Sequence, residues 1–111
     1  MSKITYNKLI RDRIPEIIAA SGKTCSTIIL DNESFFQELK NKLVEEANEL
    51  LHAQSQKELL NELADLLEVI ESIIHSCGFS HEQLHEIQSR KLTERGGFKQ
   101  RLFLEYVEEP D

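Results

Sequence analysis

Apolar residues recur at helical spacing over most of this chain. Between residues 8 and 21, Leu9, Ile10, Ile14, Ile17 and Ile18 keep a helical period, and Gly22 is placed to end the helix. Pro15 falls inside that pattern. The segment is therefore expected to begin as a turn and to become regular helix from Ile14, with Pro15 in the first turn, where its missing N–H breaks no bond. A second helix is expected over 33–53, capped by Asp31 or Asn32, with Phe36, Leu39, Leu43, Ala47 and Leu50 on one face. A third, over 57–77 and stopped by Gly78, carries Leu59, Leu60, Leu63, Leu66, Leu67, Ile70, Ile73 and Ile74. So broad an apolar arc needs several neighbours. One hairpin partner cannot cover it, and both the flanking helices and a second subunit are expected to do so. Ser80-His81-Glu82-Gln83 has the form of a capping box and opens a fourth helix, which runs to Arg95 and is closed by Gly96-Gly97.

Two stretches depart from this period. Residues 24–30 are β-branched and apolar, and residues 102–107 alternate, so each reads as a short strand and the two could pair. The expected fold is mainly α: a four-helix bundle built on an antiparallel hairpin, with one or two short β-strands. At 111 residues the whole of 1–111 is expected to form a single domain.

Charge narrows the function. The net charge of −7 argues against a general binder of nucleic-acid polymers, which would show a dominant basic face. The charge is also segregated, with eleven acids and three bases between Asp31 and His75, while the other ten bases lie in the two ends. Cys25 and Cys77 form no CxxC and read as buried or partly buried free thiols of a reducing compartment. The first residues contain no apolar leader and no apolar run is long enough to span a bilayer. The expected location is the cytoplasm, with no membrane association.

The acidic middle of the chain carries the chemistry. Glu46 and Glu49 stack one turn apart on the second helix, and Glu62 and Asp65 do so on the third. The 46/65 and 49/62 pairs share a midpoint between Ser55 and Gln56. If the chain turns there, Glu49 faces Glu62 and Glu46 faces Asp65, and four carboxylates converge. Unneutralised, they would raise one another's pKa; a hard divalent cation removes the conflict. Oxygen ligands alone favour Mg²⁺, with Mn²⁺ or Ca²⁺ as substitutes, over zinc, and Mg²⁺ keeps coordination positions for water and phosphate. The bland reading, two solvated acidic faces, is weakened because these acids border the apolar stripe.

Lys91 and Arg95 lie one turn apart on the fourth helix and are followed by Lys99 and Arg101, cations of the kind a triphosphate beside a metal needs. Lys8, Arg11 and Arg13 form a second basic group in the entry to the first helix. His81-Glu82-Gln83-Leu84-His85 matches the HExxH pattern of zinc proteases. The capping box would put His81 in a first turn, and the chain has no long domain to form a peptide cleft. A solvated helix start is the preferred reading there.

Taken together, Glu45-Glu46-x-x-Glu49 with Glu62-x-x-Asp65 resembles the acidic motif of the MazG-like all-alpha nucleoside triphosphate pyrophosphohydrolases, relatives of phosphoribosyl-ATP pyrophosphohydrolase. The opening Tyr6-Asn-Lys-Leu-Ile-Arg-Asp-Arg-Ile-Pro15 and the closing Lys91-x-x-x-Arg95-Gly-Gly-Phe98 resemble a small single-domain branch of that superfamily. Ile10 and Arg13 stand where Val and Lys would be expected. The resemblance implies Mg²⁺-dependent cleavage between the α and β phosphates of a nucleotide, releasing a monophosphate and pyrophosphate. It implies Glu46, Glu49, Glu62 and Asp65 as metal ligands and Glu45 as the group that orients or deprotonates water. Lys8, Arg11, Lys91, Arg95, Lys99 and Arg101 would hold phosphates, in a homodimer or homotetramer. Phosphoribosyl-ATP is the alternative substrate. A non-catalytic metal-binding helical protein is the alternative class.

Overall fold

The computed structural model describes residues 2–111. Four helices follow in order, α1 (Ile14–Ala20), α2 (Asn32–Leu51), α3 (Gln56–Ser76) and α4 (His81–Arg95). The protein is thus mainly helical. It divides into two compact units, one ending at Gly78 and one comprising Phe79–Asp111.

Local chemistry sets each boundary. Pro15 sits in the first turn of α1, and Gly22, with φ of +83°, takes the left-handed conformation that ends it. Asp31 caps α2 by accepting a hydrogen bond from the Ser34 N–H at 2.7 Å. The link between α2 and α3 is tied from both sides, because the Ser55 hydroxyl accepts from the Glu58 N–H and the Glu58 carboxylate accepts from the Gln54 N–H. That bracket fixes where the chain reverses. At the head of α4, Ser80 and Gln83 exchange both bonds of the expected capping box.

The packing of α2 against α3 is the centre of the first unit. Its buried apolar residues are Leu39 on α2 and Val69 and Ile74 on α3. The inward face of α2 is turned by about one residue from the face the apolar spacing suggests. Ala47 is exposed and Glu46 takes the inward place, between the half-buried Leu43 and Leu50. On α3 the inward stripe passes through Leu66, Val69, Ile70, Ile73 and Ile74, and Glu62 and Asp65 prolong it toward the turn. The rest of the apolar arc stays open, with Leu60 at 71% and Leu67 at 58% exposure.

Three expectations are corrected. Neither 24–30 nor 102–107 is a strand; among the described residues there is no strand at all. β-branched residues make a segment fit for a sheet but supply no ladder partner, and Ile28, Ile29, Leu102 and Phe103 remain exposed in irregular chain. Cys25 and Cys77 are free thiols, as expected, but both are exposed rather than buried. Cys77 is the C-cap of α3, where a side chain leaves the packed face. No helix among the described residues is long and apolar enough to cross a membrane.

Candidate functional site

Because α2 and α3 return along one another and both inward stripes end in acids, carboxylates meet near the turn end of the hairpin. Oxygens of Glu46, Glu62 and Asp65 lie within 4.8 Å of one another, as do those of Glu45, Glu46 and Glu49. Glu46 belongs to both groups and is their centre. It is 7% exposed, and its Oε2 is buried with no hydrogen-bond partner. Glu62 Oε2 is likewise buried and unpartnered.

Leaving a buried carboxylate oxygen without a donor is costly, and burying like charges together adds to that cost. The protein shows the strain as raised pKa values. Burial, then the neighbouring Glu49 charge and hydrogen bonding with Glu49, push Glu46 above its ordinary value, with Asp65 adding to the effect and Lys42 opposing it. Loss of water, then hydrogen bonding with Glu49 and the charges of Glu49, Asp65 and Glu58, push Glu62 up. Glu49 therefore lies close to both Glu46 and Glu62.

Three cations surround this cluster. Lys42 Nζ, only 16% exposed, lies 3.4 Å from Glu45 Oε1 and 3.8 Å from Glu46 Oε1. Lys8 Nζ lies 3.7 Å from Glu45 Oε1, and Arg11 Nη2 donates to Asp65 Oδ1 at 2.8 Å. Among the described residues no cation pairs with Glu49 or Glu62. Five carboxylates against three cations leave two negative charges uncompensated, the charge of one divalent cation.

The donor set fits such an ion. It is all oxygen, which suits Mg²⁺ or Mn²⁺ better than a soft metal. Oxygens on opposite sides of a bound Mg²⁺ are about 4.2 Å apart, and each group of three lies within 4.8 Å, so a small adjustment of side chains would bring its oxygens around one ion. Of the four expected ligands, Glu46, Glu62 and Asp65 form one group that could hold it, Glu49 converges with Glu45 and Glu46 in the other, and Glu45 is one-third exposed.

The remaining candidates are placed differently. Lys8 and Arg11, expected at phosphates, rest on the carboxylates themselves. Lys91 and Arg95 lie on α4, and Lys99 and Arg101 follow it, all four exposed and all in the second unit. His81 and His85 form no convergent ligand group among the described residues, and His85 Nε2 lies 3.4 Å from Ser89 Oγ on its own helix. Lys42 was missed in the sequence, although its positions three and four residues before Glu45 and Glu46 would have revealed it.

Comparison with family models, with curated proteins and with solved structures found no match.

The raised pKa values give a pH dependence of defined sign. A glutamate whose folded pKa exceeds its unfolded one contributes stability below the ordinary value of 4.5, which is lost as pH rises through the folded value. In EDTA, the Tm of the wild type should fall over that window relative to a Glu46→Gln variant. Saturating Mg²⁺ should flatten the difference. Identical pH profiles of the two proteins in EDTA would show that Glu46 is not strained by its neighbours.

Proposed function

We propose that this chain is a Mg²⁺-dependent nucleoside triphosphate pyrophosphohydrolase, folded as the all-alpha bundle of the MazG-like enzymes its motifs resemble. The observation that carries this reading is Glu46, a carboxylate buried in the hairpin with a free oxygen and with four further carboxylates around it. A buried acid so placed has no structural use that a leucine would not serve better. An ion of the opposite charge gives it one.

In this reading Glu46, Glu49, Glu62 and Asp65 are the metal ligands, with Mn²⁺ an acceptable substitute. Bound there, Mg²⁺ supplies charge neutralisation to the phosphate oxygens and polarises the phosphorus to be attacked. Glu45 orients a water molecule and accepts its proton as the water oxygen bonds to the α phosphorus. The bond from that phosphorus to the bridging oxygen breaks, and pyrophosphate leaves. Lys8 and Arg11 are available to the phosphates of the nucleotide once released from the acids. Positioning and charge supply the catalysis, and no covalent intermediate is needed. A cytoplasmic setting suits this reading, since Mg²⁺ and nucleotides are abundant there and exposed thiols stay reduced.

The same reading includes a homo-oligomer, a dimer or a tetramer. Burying a leucine side chain gains roughly 1.5–3 kcal/mol, and Leu60 and Leu67 leave that gain unrealised on the outer face of α3. A second copy that presents the same face would realise it symmetrically.

Incubation with canonical and modified nucleoside triphosphates should yield monophosphate and pyrophosphate with Mg²⁺ and nothing with EDTA. Glu49→Gln and Asp65→Asn should lower turnover by more than the roughly 10–100-fold that loss of a group merely supporting a ligand costs, while circular dichroism shows their helices intact. Diphosphate and orthophosphate as products would refute α,β cleavage. No turnover of the panel or of phosphoribosyl-ATP would favour the non-catalytic metal-binding class. Sedimentation should show an oligomer for the wild type and a smaller species for Leu60→Glu/Leu67→Glu; a monomeric wild type at micromolar concentration would contradict the assembly.

A further inference from the structure

The segment before α1 crosses the carboxylate end of the hairpin and is pinned there by two ion pairs, one to each helix. Lys8 meets Glu45 on α2 at 3.7 Å, and Arg11, three residues later, meets Asp65 on α3 at 2.8 Å. Asn7, with φ of +47°, takes a left-handed turn that few residues other than glycine and asparagine accept readily. The turn lies just before Lys8, whose Nζ is 5.6 Å from the Tyr6 ring. Leu9 and Ile10 are half-buried between the two pinned cations. Both contacts are made through single oxygens by side chains about half exposed, a geometry that holds weakly and exchanges readily.

We propose that residues 8–11 are an electrostatic latch, with Arg11 the stand-in cation at Asp65 until a divalent ion takes its place. This rests on the reading of the cluster as a metal site, which Glu46 supports independently through its nine-tenths burial and unpartnered Oε2. Asp65 belongs to the same convergent group as Glu46 and Glu62. A guanidinium on that carboxylate and a divalent cation among those oxygens compete for one negative charge, and the divalent ion, with three or four oxygens to bind, prevails. Arg11 is then set free beside the site, able to face an anion instead of an acid. Metal uptake and readiness for a phosphate ligand are thereby coupled through the chain's own N-terminal segment.

Trypsin reads the latch directly, because it cleaves only where a Lys or Arg side chain is free to enter its pocket. Full-length protein is digested briefly with Mg²⁺ or with EDTA, and cleavage after Arg11 is compared with cleavage after Lys3, which makes no ion pair among the described residues. The latch requires cleavage after Arg11 to rise several-fold with Mg²⁺ while cleavage after Lys3 is unchanged. In parallel, Mn²⁺ binding by calorimetry should tighten about 2–5-fold in Arg11→Gln, the range an exposed ion pair allows, and should not tighten in Arg13→Gln, which removes a charge that pairs with Glu16 instead. Mn²⁺ uptake with Arg11 cleavage unchanged or slowed overturns the latch alone, as does unchanged or weaker Mn²⁺ binding in Arg11→Gln. Failure of the wild type to take up Mn²⁺ removes the metal site and the latch with it.

Discussion

Glu46 stands on the inward stripe of α2, where the helix pairing would be served by an apolar side chain. A carboxylate can remain there only if its charge is neutralised, shared as a proton or paired. The chain uses what it has: Glu46 and Glu62 hold protons more tightly than usual, and Lys42 leans in from one turn away. Each device is partial. Two oxygens still lack a partner, so the conflict built into the hairpin is only partly relieved by its own chain.

The elements around the hairpin make sense in that light. The bracket of Ser55 and Glu58 sets the turn, and the reversal brings Glu46 close to Asp65 and Glu49 close to Glu62. A shift of one residue would turn one pair of acids outward and leave the others against an apolar face. The N-terminal segment brings two cations to the rim rather than to the centre, one on Glu45 and one on Asp65, and among the described residues neither Glu49 nor Glu62 has a cation partner.

Much of this was legible in the sequence because it depends on period and spacing. Helix ends followed from Pro15, Asp31, Ser80 and the glycines, and the convergence of the acids followed from their symmetry about Ser55 and Gln56. Two local features were not legible. Apolar spacing placed Ala47 on the inward face, because a hydrophobic period cannot foresee that a charged residue will be buried. The strands expected at 24–30 and 102–107 failed for the opposite reason: a propensity describes one segment, and a ladder needs two. Lys8 and Arg11 look like phosphate ligands by charge alone, whereas their distance from Asp65 and Glu45 exists only in three dimensions.

The claim at the centre is that the acids of α2 and α3 together hold one divalent cation. Crystals grown with Mn²⁺ and measured near its absorption edge test this most directly. A cation held there gives an anomalous peak between the two helices, bound by oxygens of Glu46, Glu49, Glu62 and Asp65. A map with no peak there at millimolar Mn²⁺, or with Mn²⁺ only on exposed acids elsewhere, would contradict it.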